Sequence, residues 1–207
     1  TNKISKSEMS IKLKIYYNTI LGALGGLFAW FILGNLGYFD HFLLRDFVSG
    51  IFIGFFIGGL IGSVDGIFDK SLYKIKKGII YGGCYGIAGG VLGLFIGELT
   101  LWIFKGGILG RAFGWMFLGL LIGISEGIAI KAPKKVSYGA IGGSIGGFMG
   151  GAIFEIFRTT FGSYIISQAI GLVILGACIG SLIALVEDIL RKAWVTVLTG
   201  RQEGREF

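Results

Sequence analysis

GGLIGSVDGI (Gly58 to Ile67), GLLIGISEGI (Gly119 to Ile128) and GSLIALVEDI (Gly180 to Ile189) are one ten-residue segment written three times, each start 61 residues after the last. Every copy opens on Gly, carries Leu-Ile at its third and fourth places, and has an acid at its eighth: Asp65, Glu126 and Glu187. Five residues beyond each acid stands a lysine, Lys70, Lys131 and Lys192. Self-similarity at a fixed period makes one supersecondary unit used three times the leading model. A second series alternates with the first: GALGGLFAWFILG (Gly22 to Gly34), GIAGGVLGLFIGE (Gly86 to Glu98) and GSIGGFMGGAIFE (Gly143 to Glu155). The unit is therefore a pair of segments.

Composition sets the solvent for that unit. Hydrophobic residues make up 54% of the chain and 39 of its 207 residues are Gly, against ~7% Gly in soluble domains; mean hydropathy is +0.80. Six apolar stretches run from Tyr16 to Leu36, Val48 to Phe68, Ile79 to Thr100, Ala112 to Ile130, Tyr138 to Phe157 and Ala169 to Leu190. At ~1.5 Å per residue each can cross a ~30 Å hydrocarbon core as a helix. Glycine weakens a helix in water, but in lipid the backbone must bond to itself and the helix persists. The fold expected is an all-α integral membrane protein of six transmembrane helices, arranged as three parallel two-helix repeats about a pseudo-threefold axis. Residues 1–15 form a basic cytoplasmic segment, 16–192 the membrane domain (repeats about 16–70, 77–131 and 136–192), and 193–207 a cytoplasmic tail. An open row of hairpins is the alternative arrangement.

Basic residues orient the spans, because Lys and Arg bias their loops toward the cytoplasm. Lys3, Lys6, Lys12 and Lys14 precede the first span; Lys70, Lys74, Lys76 and Lys77 follow the second; Lys131, Lys134 and Lys135 follow the fourth; Arg191, Lys192, Arg201 and Arg205 follow the sixth. The opposite side holds Arg45, Lys105, Arg111 and Arg158. Both termini are expected in the cytoplasm, in a multi-pass protein of the plasma or inner membrane. The net charge of +7 is then topological and suits the anionic inner leaflet, with no nucleic-acid partner implied. No small-residue cleavage site marks a signal peptide, and the chain opens on Thr1, so residues upstream are expected.

Apolar helices gain little by hiding from apolar lipid, and their association relies on close backbone approach at small residues and on buried polar contacts. Gly54, Gly58 and Gly62 recur every four residues, and Asp65 falls eleven after Gly54, close to three turns, which puts the acid on the glycine face. Gly119, Gly123 and Glu126 repeat the pattern, as do Gly176, Gly180, Ala184 and Glu187. Gly86, Gly90, Gly143 and Gly147 mark faces on the odd spans. The expected packing is a glycine zipper, with Phe55, Phe56, Trp115 and Phe117 facing outward or filling between hairpins.

Asp65, Glu126 and Glu187 lie about one turn inside the basic ends of the even spans. An ionisable group there costs several kcal/mol unless paired or hydrated, which makes it a functional candidate. Two readings stand. The three acids form a ring that binds a cation or proton at an inner mouth, or each pairs with a lysine of a neighbouring repeat, Lys70, Lys131 and Lys192 being the candidate bases, or bonds to loop backbone, and so fixes helix ends and register. Glu98 and Glu155 are read as solvated at the outer rim, Asp69 and Asp188 as lying at the aqueous boundary, and His41, in FDHFLLRDF (Phe39 to Phe47), as a surface residue of a short interfacial helix. Cys84 and Cys178 read as reduced packing residues, and Trp102 and Trp194 as belt residues. There is no phosphate-binding GxxxxGK[ST], no metal-spaced His/Cys cluster and no intramembrane His to act as a base. No cofactor, metal or catalytic residue is assigned, and an enzyme is not expected.

After the sixth span, Lys192 to Gly200 alternates like a short strand and leads into a polar turn and Phe207. This resembles the opening strand of a forkhead-associated domain, whose strand runs into a G-x-x-x-G-x-x-F turn matched by Gly200, Gly204 and Phe207. With the Gly-rich repeats before it, the chain resembles the membrane portion of prokaryotic proteins that carry such a phosphothreonine-recognising domain in the cytoplasm. The match covers some fifteen residues and reaches no loop able to hold the family's phosphate-binding Arg, Ser or Asn, so no such residue is assigned. Three two-helix repeats also resemble mitochondrial carriers, but those place a Pro-x-acid signature on odd helices, and here the acids are on even ones; only the geometric analogy is kept.

Two functions follow. One is a non-enzymatic membrane scaffold that tethers a cytoplasmic phosphothreonine-recognition module or docks into a larger assembly with other membrane proteins or with itself. The alternative is an ion channel or cation-coupled transporter that uses the carboxylate ring. Sequence does not name a small-molecule substrate.

Overall fold

A computed structural model describes the backbone of residues 2–36, 41–103, 108–161 and 164–198, with side chains there except at 2–11, 42, 101, 126, 164 and 191–198. The described residues form six helices: α1 (Asn2–Asn35), α2 (Phe42–Phe68), α3 (Leu72–Ile103), α4 (Ile108–Ala129), α5 (Pro133–Thr160) and α6 (Tyr164–Leu198). Each is long and apolar enough to cross a membrane.

The helices outrun the apolar stretches because extending an existing helix adds a hydrogen bond per residue without a new nucleus. Two expectations change as a result. Phe42 to Phe47 are the first turns of α2 rather than a separate interfacial helix, with His41 as N-cap. The segment read as a strand from Lys192 is helical through Leu198: Lys, Ala, Trp and Leu all continue a helix, and one already 28 residues long at Arg191 costs less to extend than a strand with no partner. Residues 199–207, which carry the turn of the forkhead-associated resemblance, lie outside the described residues.

Helices α2 and α4 end alike. Lys70 donates its backbone N–H to Ile67 and Ser71 to Gly66; Lys131 donates to Ile128 and Ala132 to Gly127. These paired bonds are a Schellman closure, which needs a left-handed residue at its hinge. Lys70 (φ 49°) and Lys131 (φ 55°) supply it. The lysine that follows each acid by five residues is thus the turn residue of its helix end.

Each helix packs against its neighbours in sequence, and α1 packs against α6, so the six close into a ring. Helix α4 also touches α2 and α6, and the core comes mainly from these even helices. Ile57, Leu118 and Ile179, 61 residues apart in sequence, are all 0% exposed. Ile61, Ile122 and Ile183, one turn nearer the basic end, are 2 to 3% exposed. All six belong to one apolar cluster with Ile53, Trp115, Phe154, Leu172 and Leu175. Branched aliphatic side chains therefore fill the centre of the ring.

Glycines make two kinds of seam. In the first, backbones meet reciprocally: a Cβ on Gly54, Gly58 or Gly62 of α2 would run into the carbonyl of Gly86, Gly82 or Gly78 of α3, and the converse holds. Gly119 and Gly123 of α4 meet Gly143 and Gly139 of α5 in the same way, and Gly176 of α6 meets Gly22 of α1. Gly90 abuts Gly50, and Gly180 abuts the Asn18 carbonyl. In the second kind, an odd helix offers glycine to a bulky core position: Gly25 lies on the Ile57 backbone, Gly89 on Leu118 and Gly146 on Ile179. Runs of such contacts join α2 to α3, α4 to α5 and α6 to α1, pairs that straddle the boundaries drawn from the sequence repeat, and one further reciprocal contact, Gly93 with Gly114, joins α3 to α4 within a repeat.

Trp115 takes the second of the two places expected of it and fills between hairpins. It stands where the other copies have Gly54 and Gly176 but is only 5% exposed, its indole accepted by the missing side chain of Gly151 and packed on Phe154 with ring centroids 5.5 Å apart. The residue pattern along one helix carries no record of a notch on its neighbour.

Gly54→Val and Gly58→Val are expected to force α2 and α3 apart and cost about 1–3 kcal/mol each, read as a lower unfolding midpoint in detergent. Gly34 has open space around its Cβ position, and Gly34→Ala should leave that midpoint unchanged.

Candidate functional site: ion networks at the two ends of the bundle

Asp65 lies one turn from the end of α2 and Glu187 lies on α6, so the ring brings two of the three repeated acids together. Lys14, from α1, places Nζ 2.9 Å from Asp65 Oδ1 and 2.9 Å from Glu187 Oε2. Lys135, from α5, pairs with Asp65 Oδ2 and stands 3.8 Å from Glu187 Oε1. Each ammonium touches both carboxylates, and the four charges close into a cycle linking α1, α2, α5 and α6. Side-chain exposure falls from 33% at Asp65 to 13% at Lys135, so the cycle is shielded from water without being dry. Directly beneath it, Val64 is 0% exposed and Ile61 only 2%.

Local sequence explains how the lysines get there. Pro133 opens α5, its fixed φ and missing N–H suiting a first helical position, and two residues later Lys135 turns back over the ring. On α1 the buried Asn18 donates from Nδ2 to the Lys14 carbonyl at 3.0 Å, while Gly180 abuts the Asn18 carbonyl, which holds this stretch of α1 against α6. Such a pairing offsets the desolvation of each charge only while all partners are present.

The candidate bases fall elsewhere. Lys70 and Lys131 occupy the left-handed hinge positions, exposed, and the bases that Asp65 engages are Lys14 and Lys135 in their place. The physical reason is the Schellman turn, which directs its hinge residue away from the bundle the acid faces. The side chains of Glu126 and Lys192 lie outside the described residues. Asp69, placed at the aqueous boundary, is exposed and pairs with Lys74 at 2.5 Å.

A second network occupies the opposite end. Glu155 of α5, read from sequence as solvated, is only 4% exposed. Arg158 grips it bidentately, Nε to Oε2 at 2.8 Å and Nη2 to Oε1 at 2.5 Å, and Arg111 of α4 lies 3.7 Å from Oε2. Arg111 also reaches Glu98 of α3, Nη2 to Oε1 at 3.6 Å. Burial is tolerated here because the guanidinium fork satisfies both carboxylate oxygens at once. The i, i+3 spacing of Glu155 and Arg158 was the available signal. Lys14 and Lys135 had none, since neither belongs to the repeated segment.

Chemically, both networks present carboxylates already matched by bases. Among the described residues no group of three or more His, Cys, Asp and Glu is placed to hold a metal ion. No protein-family model, curated protein or solved structure matches the chain, so geometry carries the functional argument.

Lys135→Met leaves two carboxylates sharing one ammonium, and is expected to cost about 1–3 kcal/mol, less than a fully buried pair because water reaches the site; Lys70→Met should change stability by less than about 0.5 kcal/mol. Thermal melts of the two variants in one detergent make the comparison. Lys131→Gly removes a side chain from a left-handed backbone and should raise stability by about 1 kcal/mol in the same assay.

Proposed function

We propose that the protein is a non-enzymatic multi-pass membrane scaffold: three parallel helix pairs about a pseudo-threefold axis, packed as glycine zippers, with both termini on the cytoplasmic side. The observation that carries this reading is the filled axis. Two stacked triplets, Ile57 with Leu118 and Ile179, then Ile61 with Ile122 and Ile183, are at most 3% exposed. Solutes following the axis would have to displace six packed aliphatic side chains, and interiors at this density do not yield a path without repacking. The acids near the basic end support the same reading, because Asp65 and Glu187 already hold two ammonium groups and act as a clamp across four helices. The filled axis weighs against a conduit through the bundle centre.

Orientation follows from the positive-inside bias: the ends of α2 and α4 and the starts of α3 and α5 carry the lysines. The helix through Leu198 takes up the segment on which a forkhead-associated strand was expected, so the scaffold reading rests on the bundle alone. Its role is to present a rigid platform in the bilayer to other membrane proteins or to further copies of itself.

Proteoliposomes containing the purified protein are expected to show no cation or proton flux above empty vesicles under an imposed potential. Sustained flux abolished by Asp65→Asn with Glu187→Gln would replace the scaffold with a channel.

A further inference from the structure

The first turns of α3 carry a pattern the bundle does not use. Tyr73, Lys76, Lys77, Ile80 and Tyr81 follow helical spacing, so they line one face. That face points away from the other helices: Tyr73 is 73% exposed, Ile80 61% and Tyr81 36%, and Lys76 is exposed as well. Leu72, at the helix start, is 75% exposed. On the opposite face Gly78 and Gly82 lie against Gly62 and Gly58 of α2, which fixes the outward direction of the stripe.

Charge on this face is unbalanced. From Leu72 onward α3 holds no acid until Glu98, at the other end of the helix. The nearest acid before it, Asp69, is taken by Lys74 at 2.5 Å. Lys77 is held over the Tyr81 ring, 5.8 Å from its centroid, a cation–π contact that keeps the ammonium beside the outward stripe. The other odd helix with a defined early outward face, α5, shows Lys134, Ser137, Ile141 and Ile145 there, a single base where α3 has an adjacent pair. Two ammonium groups flanked by two tyrosines, with apolar side chains immediately deeper, match the layered chemistry of a lipid: a phosphate at the polar boundary, then glycerol, then acyl chain.

We propose that this stripe binds the headgroup of an anionic phospholipid, with Lys76 and Lys77 engaging the phosphate, Tyr73 beside the headgroup at the polar rim, and Ile80 and Tyr81 covering the glycerol region and the first acyl carbons. The inference rests on the membrane reading given above and adds a particular headgroup site to it. A bulk attraction to the anionic leaflet would depend on total charge; this site depends on where two lysines stand.

The test uses the full chain purified in detergent, titrated with phosphatidylglycerol or with phosphatidylcholine and read by native mass spectrometry for retained lipid. Phosphatidylglycerol should be retained in preference to phosphatidylcholine. Lys76→Gln with Lys77→Gln should weaken that retention about thirty-fold, since each base near an anionic surface contributes about a five-fold gain. Lys131→Gln with Lys134→Gln, the same loss of charge at another turn, should leave it within about two-fold of the starting protein, and Lys76→Arg with Lys77→Arg should retain it. Equal retention of the two lipids by the starting protein overturns the proposal, and so does an equal loss in the two glutamine pairs, which would show only bulk charge. Added inorganic phosphate should not displace the lipid; displacement would assign the site to a free anion and overturn the lipid assignment. Insertion into vesicles is followed in parallel. A chain that inserts but shows no preference loses this inference alone, whereas a chain that fails to insert loses the membrane reading with it.

Discussion

The contact of one helix backbone with another, through positions that lack a side chain, is the constraint from which the rest of this bundle follows. Where the surroundings are as apolar as the side chains, burial supplies little drive, and helices associate through dispersion at short range and through polar contacts. Dispersion falls steeply with distance, so the axes must approach to the point where a single Cβ would collide. Gly54, Gly58 and Gly62 against Gly86, Gly82 and Gly78 reach that point at one position in each of three successive turns. Once two backbones meet this closely their register is fixed, and with it the direction of every other side chain on both helices.

That register explains the core. With reciprocal seams joining α2 to α3, α4 to α5 and α6 to α1, the even helices turn their branched residues toward the centre, and a glycine of the other neighbour, Gly25, Gly89 or Gly146, lies against each of Ile57, Leu118 and Ile179. Small residues on the odd helices thus do two jobs, letting one partner's backbone approach and the other partner's large residue sit. Trp115 shows the tolerance of the scheme: one copy replaces a seam glycine with the largest side chain, and Gly151 across the seam accommodates it.

The ion networks stand at opposite ends of this apolar column. At the basic end Lys14 and Lys135 bridge Asp65 and Glu187; at the other end Arg111 and Arg158 hold Glu155. The first network adds a link between α2 and α5, which are not neighbours in the ring, and the second links α3, α4 and α5. Helices fray at their ends, and charged pairs supply directional contacts there. The outward stripe on α3 remains outside both networks.

The sequence by itself determined the helical class, six segments long and apolar enough to cross a membrane, the glycine faces and the location of the acids near the helix ends, because the 3.6-residue period and the length needed to cross hydrocarbon are properties of a single segment and its solvent. Only the tertiary structure decided which lysines meet the acids, that Glu155 and Trp115 are buried, and that Lys70 and Lys131 close their helices instead of pairing. Those outcomes depend on what a neighbouring helix places opposite a residue. An ammonium fourteen residues into the chain and a carboxylate at position 187 become partners only after the first and last helices of a ring have closed on each other, and no local pattern records that distance.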